Sequence, residues 1–237
     1  MIVWKDKAIV LSKINYSETS LILKVFTFEK GIQTGLVRGG KKVYKSNIYE
    51  TGNLLTLEWK GRTENSLGVF NCDLLEANSA IFINDTKKFM SIVALLNLIE
   101  FSFLENEIEQ ELFIKTYTMI KLILNDADGW LEDYVKWELF LLNKIGFGLE
   151  LNRCIVSNAR KNLVYVSPKS GCAVSKNAAK GYEEKLLPLP DFLISKKKPN
   201  TNNIKEGLNL TTFFLNKFSK SINKNLPFTR RYFIDTI

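Results

Sequence analysis

Histidine is missing altogether from the 237 residues. Its absence removes the imidazole base of serine and cysteine triads, and with it the usual histidine-containing zinc sites. Cysteine is scarce. Cys72, Cys154 and Cys172 form an odd set with no close pair, which fits a reducing compartment and not a disulfide framework. No apolar run is long enough for a membrane span. The longest, Phe89–Leu104, carries Asn97 and Glu100 and reads as a buried helix. No secretory leader pattern is visible, since Met1–Lys7 runs straight into a strand-like segment. A cytoplasmic protein with no membrane partner is expected.

Apolar residues make up 46% of the chain, enough for a substantial core. The net charge of +8 is unevenly spread. Residues 1–80 carry 11 Lys/Arg against 8 Asp/Glu, residues 81–150 carry 6 against 12, and residues 151–237 carry 16 against 5. An acidic middle between basic ends suggests that the ends meet a polyanion and the middle does not.

The first eighty residues read as β-structure. Lys7–Leu11, Ser20–Thr27, Ile32–Arg38, Leu54–Lys60 and Leu67–Leu75 are apolar, β-branched runs separated by turn signals. Five short strands suit a five-stranded OB-fold barrel, with an SH3-like barrel as the alternative. Ser20–Thr27 is apolar on both faces, as in a barrel that also packs on something else. A helical turn fits Lys42–Tyr49. Helical stripes follow at Phe89/Ile92/Val93/Leu96/Ile99, Phe113/Tyr117/Ile120/Leu124 and Leu131/Val135/Leu139/Leu142, and three such stripes predict a bundle. Beyond Gly148, a strand is expected at Leu163–Ser167, a helix at about Lys176–Leu186 and a polar loop at Ser195–Asn203. A last stripe then runs through Leu210, Phe213, Phe214, Phe218 and Ile222. The fold class is α+β: an N-terminal domain over 1–78, then a mainly helical domain over 79–237.

The sharpest feature is LVRGGKKVYK at 36–45, where Arg38, Lys41, Lys42 and Lys45 crowd around Gly39 and Gly40. Gly35-Leu-Val-Arg-Gly-Gly40-Lys41 has the spacing of a phosphate loop. The next residue, however, is Lys42 where magnesium binding needs Ser or Thr, and no long helix follows. A basic barrel loop that meets nucleic-acid phosphates fits better, because each cation that neutralises a phosphate releases condensed counterions. Lys60 and Arg62 at the next hairpin extend the track. Tyr44, Tyr49, Trp59 and Phe70 are nearby aromatics that either stack on bases or fill the core. No residues are assigned a catalytic role. The carboxylates Glu107 and Glu111 fall in a generally acidic helical segment and read as solvated surface.

The ordered set Trp4-x-Asp6-x-Ala8-Ile-Val-Leu11, Tyr16-Ser-Glu-Thr-Ser-Leu21, Phe26-Thr27-x-Glu29-Lys-Gly31 and Val37-Arg-Gly39 resembles the start of the RecO family of bacterial recombination mediators. The likeness continues through Tyr165-Val-Ser-Pro-Lys-Ser-Gly171 and Leu186-Leu-Pro-Leu-Pro190, and the type looks alphaproteobacterial. The resemblance implies an OB-fold, a helical C-terminal domain and no bond-breaking site. It implies binding of single- and double-stranded DNA, annealing of complementary strands, and work with RecR to load RecA on strands coated by single-strand-binding protein, in the nucleoid. The family's basic surface maps onto Arg38, Lys41 and Lys42; Lys45, Lys60 and Arg62 are added from spacing. An RNA-binding OB-fold factor and a protein–protein adaptor are the alternatives.

Relatives also receive the acidic, apolar-ended tail of single-strand-binding protein. Such a tail needs an apolar pocket with a basic rim, for which Arg153, Lys169, Lys217, Arg230 and Arg231 are candidates. Many relatives carry a zinc module with two C-x-x-C pairs. Here, at about 150–178, the pairs read Cys154-x-x-Ser157 and Ser175-x-x-Ala178, and Cys172 is out of register. A related β-hairpin without zinc is expected, with packing by Val164, Tyr165 and Val166 in place of the metal.

Overall fold

Leu21, Leu23, Val25 and Thr27 recur at every second position and are all buried, so the strand they form lies on a core. In the computed structural model, which describes residues 1–42, 46–63 and 66–237, that strand is β2 (Leu21–Thr27). It stands among β1 (Ile2–Asn15), β3 (Gly31–Val37), β4 (Leu54–Gly61) and β5 (Val69–Glu76). The strands pair in the order β1-β2-β3-β5-β4 and β4 returns to β1, which closes the sheet into the expected OB-fold topology. Every pairing is antiparallel except β3 with β5, a single parallel rung between Leu36 and Val69.

Strand β1 is far longer than the expected Lys7–Leu11, because it serves two partners. Ile2–Ile9 pair with β4, and Ala8–Asn15 pair with β2. The register shifts between Val10 and Ser12. There the Val10 backbone turns to another partner, donating to Asn53 O at 3.0 Å and accepting from Gly52 N at 2.9 Å. Such a bulge bends a strand and lets it cross from one side of a barrel to the other. The interior is filled by Val10, Leu23, Val25, Leu55, Leu57, Trp59 and Phe70, with Tyr49 from the short 3-10 turn Asn47–Tyr49.

Trp59 fixes one end of the barrel. Its indole stacks on Trp4 with centroids 5.7 Å apart, and its Nε1 donates to Leu67 O at 3.3 Å. It lies so close to Gly68 that a Cβ there would sit 2.2 Å from Nε1. Gly68 also has φ +60°, a conformation that side chains disfavour.

Helices complete this compact unit, which covers Met1–Asp126 and Thr229–Phe233. After the short α1 (Asn78–Phe82) come α2 (Thr86–Ser102) and α3 (Gln110–Leu124). Phe113 of α3 packs on Phe26 and Phe28 at 5.5 and 5.7 Å, which explains the second apolar face of β2. Asn97, the polar break in the long apolar run, donates to Thr229 Oγ1 at 3.0 Å.

The second unit covers Ala127–Phe228 and Ile234–Ile237. Its helices α4 (Trp130–Lys144) and α5 (Thr201–Ser221) pack on each other, so the third expected stripe finds its partner in α5. A small sheet runs in the order β7 (Ala173–Ser175), β6 (Leu163–Val166), β8 (Leu187–Pro188). The helix expected at Lys176–Leu186 is absent. Turns fill that stretch, with a 3-10 turn at Glu183–Lys185, and Gly181 at φ +80° breaks any helical path. Helix α5 starts within the expected polar loop, because Asn200 caps it by accepting from Asn203 N at 2.9 Å while Asn203 Oδ1 reciprocates at 3.2 Å. The chain ends in α6 (Phe228–Asp235).

Trp59→Ala should cost about 3–5 kcal/mol in denaturant unfolding, the usual range for an aromatic cavity. Gly68→Ala should also destabilise, because the added methyl meets the indole and the backbone is strained. Wild-type midpoints for both variants would show that Trp59 does not anchor this end of the barrel.

Candidate nucleic-acid interface

Three connections meet at one end of the barrel. β1 hands over to β2 through residues 16–20, β3 ends at Val37, and the β4–β5 hairpin turns after Gly61. Lys41 ties the first two together, since its backbone N donates to Thr19 O at 3.1 Å and its Nζ to Ser17 O at 3.0 Å. The third is held beside β3 by Leu36 N donating to Gly68 O at 3.1 Å. Barrel closure therefore brings the 38–42 segment and the β4–β5 turn to a common rim.

The six basic residues singled out from the sequence fare differently there. Arg38, Lys41, Lys42 and Arg62 are exposed. Among the described residues, the side chains of Arg38, Lys42 and Arg62 make no ion pair, so their charge faces solvent. Lys41 is exposed too, with its Nζ tethered to the Ser17 carbonyl. Lys60 is already paired with Glu58, whose carboxyl the Lys60 hydrogen bond holds below its usual range. Lys45 lies outside the described residues. Lys60, Arg62, Ser66 and Met1 line an open hollow of about 480 Å³. Glu18 is the acid on the adjoining β1–β2 loop.

The aromatics sort cleanly. Tyr49, Trp59 and Phe70 are at most 2% exposed and belong to the core, and Tyr44 lies outside the described residues. The aromatic that does face solvent is Tyr16, 64% exposed on the β1–β2 loop. Sequence reasoning passed over it. The signal was there, since Tyr16-Ser-Glu-Thr-Ser20 is a polar run in which an aromatic has no core to join. Gly35 of the phosphate-loop near-miss is a strand residue, and a Cβ there would meet the Phe70 ring at 2.6 Å. Its glycine is explained by packing.

The outer face of β2 and β3 is partly covered by acid. Lys24 and Thr34 are cross-strand partners; Glu100 pairs with Lys24 at 2.9 Å, and Thr34 donates to Glu105. Gln33 Nε2 adds a bond to Asn106 Oδ1 at 2.9 Å. Ile22 and Leu36, on the same face nearer the basic rim, stay half-buried and uncovered by these carboxylates.

Of the candidate rim for an acidic tail, Arg153, Lys169, Lys217 and Arg231 are exposed. In the second unit Lys217 Nζ donates to Pro168 O at 3.2 Å and Lys169 O at 3.0 Å, which brings Lys169 and Lys217 together. Arg230 must be dropped from a solvent-facing rim, because it is 1% exposed. Phe214 and Phe218 are buried as plain core, whereas Phe213 is 38% exposed.

The four positions of the metal module do not fit zinc. They supply one sulfur (Cys154), two hydroxyls (Ser157 and Ser175) and the methyl group of Ala178, where a structural site needs four sulfur or nitrogen ligands. Among the described residues no group of three His, Cys, Asp or Glu could hold a metal. Burial opposes ionisation of the Cys154 thiol, but hydrogen bonds from Ser157 and Ser175 outweigh it and bring the thiol down to about 6. Burial, assisted by Asp73, pushes the Cys72 thiol up to about 12. Among the described residues no helix is long and apolar enough to cross a membrane.

Family models described as Recombination protein O N terminal and Recombination protein O C terminal match residues 1–77 and 83–217. The chain is 34% identical to the DNA repair protein RecO of Orientia tsutsugamushi (strain Ikeda), over 99% of this chain and 97% of that one. It is 33% identical to that of Dinoroseobacter shibae, over 100% of this chain and 98% of the relative. It is 35% identical to that of a Wolbachia from Drosophila simulans, over 91% of each.

A thiol whose folded value lies below its unfolded value of about 8.5 adds stability that is complete above that value. This stability is lost as the pH falls through about 6. Cys154→Ala should therefore cost more in thermal melts at about pH 9 than at about pH 5.5. Equal costs would show that the sulfur is not held as a thiolate.

Proposed function

The chain belongs to the recombination protein O family, and we propose that it binds single- and double-stranded DNA at the basic end of its barrel and anneals complementary strands. Its role is in DNA repair, in a family of mediators and not of catalytic enzymes. The observation that carries the finer reading is the shared rim. Arg38, Lys41, Lys42 and Arg62 project from it, and none of the four has a carboxylate partner among the described residues.

The mechanism needs positioning and charge, and no fuel. Two DNA strands repel each other through their phosphates. A guanidinium forks onto phosphate oxygens, a lysine acts as an adaptable point charge, and each neutralised phosphate releases counterions. Held on one surface, complementary strands meet at raised local concentration and lowered repulsion, and pairing follows. Tyr16 supplies a stacking face for unpaired bases, which a duplex does not offer. Ile22 and Leu36 give the strand a partly apolar floor that leads away from the acid-covered part of the sheet. Docking to RecR and to the tail of single-strand-binding protein then places the annealed or exposed strand for RecA. For the tail, Lys169 and Lys217 are the proposed basic pair, with Arg153 and Arg231 as further exposed candidates.

Replacing Arg38, Lys41 and Lys42 together by alanine should slow strand annealing. It should also flatten the dependence of duplex affinity on salt, by about 0.9 in the log–log slope for each phosphate that is no longer neutralised. Tyr16→Ala should weaken single-strand binding by about 1–3 kcal/mol and leave duplex binding nearly unchanged. Unaltered annealing and slope in the triple variant would remove the rim from the mechanism. Competition by RNA of matching sequence at equal strength would point to a different nucleic acid.

A further inference from the structure

Cys154, Ser157, Ser175 and Ala178 occupy the four corners at which a double C-x-x-C module would place sulfur, yet only one corner has it. The backbone nonetheless gathers around that one. Cys154 Sγ accepts from Ser157 N at 3.4 Å, within its own turn, and from Ser175 N at 3.3 Å, across the module. The Ser157 and Ser175 hydroxyls face each other at 3.4 Å, so one proton can join the two half-sites directly. Around this point the strands are pinned by Ile155 N to Ala173 O at 2.9 Å and Ala173 N to Glu150 O at 2.8 Å. Cys154 itself is 1% exposed.

We infer that a hydrogen-bond cluster centred on the Cys154 sulfur, with Ser157 and Ser175, holds this module together in the place of a metal ion. Amide groups aimed at sulfur are what a thiolate site uses to orient its ligands, and here they remain while the ligand set does not. The serine pair closes the gap that a bridging cation would span. Cys172 takes no part, since its Sγ donates to Ser170 O at 3.7 Å. The expected packing by Val164, Tyr165 and Val166 is a smaller contribution than anticipated, because only Val166 of the three is buried. The module should consequently fold in metal-free medium and ignore chelators. The three non-sulfur corners should also be close enough together to become a zinc site once thiols are supplied.

Three measurements on the full chain test this. The wild-type protein, dialysed and assayed for metal by mass spectrometry, should hold no zinc and melt at the same temperature with and without EDTA. The Ser157→Cys/Ser175→Cys/Ala178→Cys variant should take up one zinc per chain in competition with a chromophoric chelator, and melt higher when loaded. In Cys154→Ala, amide hydrogen exchange at Ser157 and Ser175 should speed up about tenfold, while Leu23 and Val25 in the barrel stay protected. One zinc retained by the wild type, or a melting temperature lowered by EDTA, would overturn the inference. So would a folded triple variant that binds no zinc, since its corners would not converge. Unchanged exchange in Cys154→Ala would overturn it regardless of how the triple variant behaves.

Discussion

Closure of the barrel through the Leu36–Val69 rung is the constraint on which the rest depends. It is the one parallel pairing in a sheet that is otherwise antiparallel. Without it, the end of β3 and the start of β5 would be free edges, and the loops that follow and precede them would have no common position. With it, Arg38 and Arg62, far apart in sequence, share a rim. Two packing features secure the rung from either side. Gly35 gives Phe70 room against β3, and Trp59 sits against Gly61 and Gly68 so that the β4–β5 hairpin must turn where it does. The exposed charge of the rim is thus positioned by buried core aromatics.

The acidic middle of the chain works partly within the fold. Glu100 pairs with Lys24 and Glu105 accepts from Thr34, on the face of β2 and β3 that an OB-fold commonly offers to a ligand. Glu76 holds Lys121 at 2.6 Å and accepts from the Tyr117 hydroxyl at 2.8 Å, tying β5 to α3. These part-exposed pairs add little stability individually. Their larger effect is on the pattern of charge, because they cancel cations along the barrel wall while Arg38, Lys41, Lys42 and Arg62 on the rim make no ion pair among the described residues. An anionic strand that approaches the wall meets several carboxylates; one that approaches the rim meets Glu18 among four exposed cations.

Much of this was legible in the sequence. Alternation wrote out β2, turn residues bracketed β3 to β5, and the crowding of cations around Gly39 and Gly40 marked the loop. What was missed depended on partners distant in the chain. The length of β1 was hidden because Ile2, Val3 and Trp4 face β4 while its second half faces β2, so no single alternation spans it. The helix expected after Lys176 had acceptable local propensity, but Gly181 adopts a left-handed backbone that propensity does not register. Arg230 and Arg231 are identical neighbours in sequence, and nothing in their immediate context separates the buried one from the exposed one. Lys60 was more readable than it was read: Glu58 and Lys60 lie two apart on one strand, hence on one face, and pair there.

The claim that DNA sits on the rim created by closure is tested most directly by amide shift mapping of the labelled protein during titration with a short single strand. The account predicts that perturbations concentrate at Tyr16–Ser20, Arg38–Lys42 and Arg62, spread to Ile22 and Leu36, and fade as salt is raised. Perturbations confined to Glu100–Asn106 or to the second unit, with the rim silent, would contradict it.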